Sequence, residues 1–235
     1  MTNRQSNIVF YSIISLIVFA LVIHFIYPDF FDDLTKSRTE LSVKEALAKG
    51  EHNQALALYE KLIEEKIISN NEMSPEAAQI YEGMATSHSK LGNRSQEKEY
   101  YLKSVDIKEQ LKEIDTFGIT ILYDKLGALA ENDKKYDEAQ MYYEKSLSKK
   151  LGNNTDEKNE GLLVGMQHSR TQYLRLNNEE TIRSFIKLAE IHTIKKEYPI
   201  AKKYYEQALA AGRLTFGEDD DRTLEIMNLM NRLAL

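Results

Sequence analysis

The sequence predicts an all-α protein in which a stack of helical hairpins follows one N-terminal membrane-spanning helix. Three observations lead there. Residues 8–27 form an unbroken apolar run. A tyrosine-centred segment recurs four times downstream of it. The 235 residues hold only 10 Gly and 3 Pro, too little punctuation for the many tight turns of an all-β fold.

The N-terminal tail, residues 1–7, precedes the run IVFYSIISLIVFALVIHFIY at residues 8–27. At about 1.5 Å per residue this run makes a helix about 30 Å long, the thickness of a bilayer's hydrocarbon core. Ser12 and Ser15 can return their hydroxyls to the backbone of the same helix. Tyr27, Phe30 and Phe31 stand where an interfacial aromatic belt would lie. A cleaved signal peptide would need a shorter apolar stretch and a small-residue cleavage pattern, whereas Pro28-Asp29 follows here. The reading is therefore a transmembrane helix over 8–27 that contacts the lipid bilayer, with a linker over 28–39. Arg4 lies before the span, and Lys36 and Arg38 lie after it. The expected orientation puts the N-terminus in the cytoplasm or matrix and the C-terminal domain on the non-cytoplasmic side, periplasm or intermembrane space.

Residues 40–235 carry the repeat. QALALYEKLI, QEKEYYLKSV and EAQMYYEKSL start at residues 54, 96 and 138, a spacing of 42, and IAKKYYEQAL starts at 200. Stacking them gives one column of Ala55, Glu97, Ala139 and Ala201. Four residues on stand Tyr59, Tyr101, Tyr143 and Tyr205, and three further on Leu62, Ser104, Ser146 and Ala208. Steps of four and seven place small, aromatic and small residues on one helical face, so a neighbouring helix can approach while the ring fills the gap. Glu97 breaks the small column and is expected to be solvated or paired. Self-similarity at such a period signals stacked supersecondary units.

This pattern resembles the second helix of a tetratricopeptide repeat. The matching first helices carry Tyr123, Leu126 and Gly127; Tyr81, Met84 and Ala85; and Phe185, Leu188 and Ala189. Gly50 and Gly92 fall at the turn within the hairpin, and Tyr136 and Tyr198 just after it. The family's common period is about 34 residues, so the spacing is similar to the longer repeats of kinesin light chains. The acidic segment from Leu214 to Asn228 also resembles the turn linking those units. The resemblance implies a right-handed superhelical solenoid with repeats at about 40–70, 75–113, 116–152 and 179–216. It departs from the family where Leu151 replaces the closing proline. Residues 157–176 read as an extra helix and 223–235 as a capping helix, with Leu224, Met227, Leu229 and Met230 buried.

Little in the chain points to chemistry. The net charge of -6 excludes the basic stripe that nucleic-acid binding requires. There is no Cys, which removes thiolate nucleophiles and Cys-ligated zinc. The five His are scattered, with no H-E-x-x-H pair, phosphate loop or G-x-S-x-G. Asp219, Asp220 and Asp221 lack the downstream Glu of a calcium loop and read as a loop plus N-cap. The sequence therefore predicts a non-enzyme with no catalytic residues, no metal site and no cofactors.

The resemblance implies that partners, a peptide or helix, bind in a concave groove lined by first helices. In register the candidates are Gln79, Glu82, Thr86 and Ser89, then Asp124, Ala128, Glu131 and Asn132, then Arg183, Ile186, Glu190 and Thr193. Family members that bind chaperone carboxylate tails use Lys, Arg and Asn there, whereas Glu82 and Asp124 stand here. An acidic groove favours a basic or neutral partner. The expected function is a membrane-anchored adaptor or scaffold for protein–protein interaction, in assembly, stabilisation or quality control of a membrane complex. The alternatives are a constitutive accessory subunit of such a complex and an enzyme regulator. A bacterial inner membrane or a mitochondrial membrane is the expected location.

Overall fold

A computed structural model describes residues 30–111, 115–152 and 178–234. Among these residues every regular element is a helix: α1 Phe30–Ala48, α2 His52–Ile68, α3 Pro75–Lys90, α4 Arg94–Gln110, α5 Thr116–Asn132, α6 Tyr136–Leu151, α7 Glu179–Ile194, α8 Tyr198–Thr215 and α9 Asp221–Asn231, closed by a 3₁₀ turn at Arg232–Ala234. They form two compact units, Met1–Asn93 and Arg94–Leu235. In the first, α1 packs on α2 and α2 on α3. In the second, each helix from α4 to α9 packs on the next.

The hairpins turn by one repeated device. Gly50, Gly92, Lys134 and Lys196 all take positive φ, between 59° and 76°. The residue after each returns its N–H to a carbonyl five back: Glu51 to Ala46, Asn93 to His88, Lys135 to Ala130 and Glu197 to His192, at 2.8–2.9 Å. This left-handed closure satisfies carbonyls that a helix end would otherwise leave bare. Asn70, after α2, uses the same closure, with φ 51° and Asn71 bonded to the Lys66 carbonyl. Helix starts are fixed by side chains: Ser74 accepts from Ala77, Asp115 from Gly118, Asn178 from Glu180 and Asp220 from Arg222.

The repeat columns face inward. Ala55, Ala139 and Ala201 are fully buried, as are Ser104, Ser146 and Ala208, with Leu62 nearly so. Glu97, expected to be solvated or paired, is not solvated: it is buried with its column, because the helix face set by Tyr101 and Ser104 carries it inward. Among the tyrosines, Tyr101, Tyr143 and Tyr205 are buried and Tyr59 is partly exposed.

Three boundaries differ from the sequence reading. The stretch read as linker, 28–39, is helical from Phe30. No Gly or Pro interrupts residues 30–48, so nothing in this stretch breaks a helix. The capping helix begins at Asp221 and ends at Asn231. It buries Thr223 and Ile226, whereas Leu224 is exposed and Met227, Leu229 and Met230 are only partly covered. Among the described residues α9 packs chiefly on α8, so one narrow stripe is covered. The apolar run 8–27 and the extra helix read at 157–176 lie outside the described residues. Among the described residues no helix is long and apolar enough to cross a membrane.

Candidate partner-binding surface

In the first unit the four candidates lie along α3. Gln79, Thr86 and Ser89 are exposed and Glu82 is partly covered. Their spacings of three to four residues place them on one stripe of the helix. The Thr86 hydroxyl donates to the Glu82 carbonyl at 2.8 Å, so this side chain is bound to its own helix.

In the second unit the candidates on α5 and α7 are brought together by lysines that sequence reasoning missed. Lys150, at the end of α6, has a side chain only 9% exposed. Its ammonium donates to Asp124 Oδ2 at 2.7 Å, to Ser184 Oγ at 2.8 Å and to the Glu180 carbonyl at 3.3 Å. One cation thereby ties α5, α6 and α7. Asp124 is not the open acid of the sequence reading: one oxygen is held by Lys150 and the other is buried.

About two turns further along α5, Glu131 accepts from the Tyr143 hydroxyl at 2.8 Å and lies 3.6 Å from the Lys187 ammonium. Lys187 also donates to Glu190 at 2.9 Å. Burial first, then Glu131, Asp124 and Glu190, hold the Tyr143 hydroxyl far above the ordinary phenol range. Burial works against the charge of Lys187, but Glu190 and Glu131 outweigh it and raise its pKa. The local field is therefore negative. Arg183 pairs with Glu179 and Glu180, each at 3.3 Å, and Ile186 is half-buried. Asn132 and Ala128 are exposed, and Thr193 bonds back to the Ala189 carbonyl at 2.7 Å.

Lys150 follows Asp124 by 26 residues, and no local pattern announces such a tertiary pair. Lys187 could have been found, since it stands three residues before Glu190 on the same face. Among the described residues no group of three or more His, Asp or Glu converges as a metal site.

Helical hairpins repeated in tandem, with small residues and tyrosines at their contacts, define a protein of stacked-repeat type. Profiles described as "Tetratricopeptide repeat" match residues 78–111, 121–148 and 181–221. Such repeats are in general non-catalytic modules that bind other proteins. Solved structures agree on the fold. BtubC (BKLC) from P. vanneervenii superposes with a TM-score of 0.54 at 17% identity, over 81% of this chain and 65% of that one. The chain thus spans somewhat under two thirds of that protein. Two structures of a Podosopora anserina kinesin-light-chain protein with nearly identical TPR-like repeats give 0.58 at 15% identity, over 84% of this chain and 83% of theirs. No curated protein matches the sequence.

Proposed function

We propose that the chain is a membrane-tethered adaptor that holds partner proteins on the outward faces of its first helices. The observation that carries this reading is the α5–α7 face. There Lys150 and Lys187 fix two adjacent first helices at a set spacing, while Ala128, Asn132 and Arg183 remain exposed between them. A rigid face with side chains left open suits recognition, because little ordering entropy is lost on binding.

The tether is the apolar run at residues 8–27. Confinement to a membrane raises the effective concentration of the face towards membrane-bound partners. We place the chain in a bacterial inner membrane or a mitochondrial membrane, with the repeats on the periplasmic or intermembrane-space side. The chain has no cysteine, so an Asn53→Cys variant offers one exposed thiol for an impermeant label. Labelling only after the membrane is opened on the non-cytoplasmic side supports this placement, and labelling from the cytoplasmic side refutes it.

The test of function is mild-detergent affinity purification of the full-length chain beside one lacking residues 1–28. Substoichiometric partners that are lost on truncation support the adaptor. One partner complex recovered at equal stoichiometry by both chains replaces it with a permanent subunit. Recovery of no protein from either overturns both.

A further inference from the structure

The α5–α7 face has a chemical preference that follows from its charge count. Glu131 and Glu190 share one cation, Lys187. Asp124 is matched by Lys150, whose three bonds leave it nothing further to offer. Arg183, the next cation along α7, is already between two acids, Glu179 and Glu180. Among the described residues the step around Lys187 therefore keeps one negative charge in excess. It is only partly open to water: the side chains of Glu131 and Glu190 are 25% and 34% exposed. Partial burial weakens solvent screening, so an incoming cation would gain more there than on an open surface.

Beside the charged step lies an apolar one. Ile186 is one residue before Lys187, and Ala128 is three before Glu131, with exposed surface on each. Lys150 and Lys187 bind both helices, so the apolar and charged steps share one face at a spacing of about one helical turn. We propose that this face docks a partner-protein segment that sets an Arg or Lys beside Glu131 and Glu190 and an apolar side chain over Ala128 and Ile186. The acids supply charge complementarity and orientation, and the apolar step supplies buried area. This rests on the adaptor reading and names the chemistry of its partner.

The probe is a pair of fluorescein-labelled peptides of equal length, one alternating Leu with Arg and one alternating Leu with Glu. Each is titrated against the full-length chain in detergent, with binding read by anisotropy. The expected result is saturable binding of the Arg peptide and none of the Glu peptide. Affinity for the Arg peptide should fall about tenfold or more in Glu131→Gln plus Glu190→Gln, a loss that corresponds to about 1.4 kcal/mol. It should hold in Glu60→Gln plus Glu206→Gln, which remove exposed acids elsewhere. Gln at 131 still accepts from Tyr143, so the fold is kept, and far-UV circular dichroism checks this. Equal loss in both double variants, or equal binding of both peptides, overturns the proposal. Affinity capture separates the two levels of the argument. Partners recovered at unchanged yield by the Glu131→Gln plus Glu190→Gln chain leave the adaptor standing and sink this docking mode. A wild-type chain that captures nothing sinks both.

Discussion

Tyr59 and Tyr143 occupy the same column of the repeat and do the same job in different ways. In the first unit Tyr59 of α2 lies against Gly83 of α3, where an added Cβ would collide with the ring. In the second, Tyr143 of α6 lies against Gly127 of α5, where a Cβ would come within 2.6 Å of the ring. Tyr59 reaches the hairpin that follows it, and Tyr143 the first helix of its own hairpin. Tyr143 is almost wholly buried and its hydroxyl is held by Glu131, whereas Tyr59 keeps part of its ring exposed. Around Tyr143 the second unit is cross-braced: Lys98 pairs with Glu138, Lys149 with Glu109 and Lys195 with Asp137. The first unit has Lys66 with Glu76 at 3.6 Å. A shared column therefore specifies where a ring goes, and the surrounding polar partners decide how firmly it is held.

The largest expected effect breaks this comparison directly. Tyr143→Ala removes a buried aromatic and leaves Glu131 without its hydroxyl donor, so it should cost about 3–5 kcal/mol. Tyr59→Ala should cost about half as much. Hydrogen exchange on the full-length chain reads the two units separately. Loss of protection in α5–α8 for the first variant, and a smaller loss in α2–α3 for the second, is the expected outcome. Equal losses would mean that ring volume alone matters and the polar bracing does not.

Next comes Lys150→Ala. It strands Asp124 at the junction of α5, α6 and α7, while the Glu180 carbonyl keeps the Ser184 hydroxyl at 3.1 Å. Breaking a buried pair costs about 3–5 kcal/mol, and Asp124 is part-exposed, so about 2 kcal/mol is expected here after screening. The corresponding change in the first unit, Lys66→Ala, should cost less than 1 kcal/mol because Glu76 is mostly exposed. Chemical denaturation followed by circular dichroism distinguishes the two. A Lys150→Ala loss as small as that of Lys66→Ala would remove Lys150 as the tie between helices.

What was legible in the sequence follows the same division. The columns beginning at Ala55, Tyr59 and Leu62 were readable because helical packing repeats its demands at each turn. Positions 79, 82, 86 and 89 of α3 fall on one stripe for the same reason, with Gln79, Thr86 and Ser89 exposed. Asp124 looked like an open acid because its partner, Lys150, lies on another helix and leaves no local mark. The helical character of residues 30–39 was hidden because the aspartates after the apolar run read equally well as a polar linker. Leu224 looked buried because the pattern of α9 is amphipathic, but among the described residues α9 packs chiefly on α8 and leaves Leu224 exposed.

Alkaline pH should sharpen the contrast. Burial, with Glu144 adding to it, pushes the Tyr204 hydroxyl up to about 12. The unfolded phenol titrates near 10. The neutral form is the one the fold favours, so its contribution is complete below pH 10 and is lost as pH rises from there to about 12. Tyr143 is shifted in the same direction. Tyr59 is raised by burial alone. Denaturation midpoints measured from pH 9 to 12 should fall, and Tyr204→Phe should flatten part of the fall. A midpoint that does not move over this range would refute the burial of that hydroxyl.

The smallest expected effect concerns the turns. Gly50 and Gly92 take φ of 75° and 76°, and the same closure is made at Lys134 and Lys196 with φ of 59° and 62°. A side chain in this region costs about 1–2 kcal/mol, because Cβ crowds the carbonyl. Glycine avoids that cost but gives the unfolded chain more freedom, which offsets about 0.4–1 kcal/mol of the gain. Lys134→Gly and Lys196→Gly should therefore each stabilise the second unit by about 0.5 kcal/mol. Gly92→Lys should destabilise by a similar amount, since a Cβ at Gly92 meets no neighbouring atom and only the backbone term acts. The glycines made the turn visible at two hairpins, and the lysines hid it at the other two, although the backbone bonds are the same in all four. If Lys134→Gly were instead destabilising, the lysine side chain would have to be holding the turn through contacts of its own.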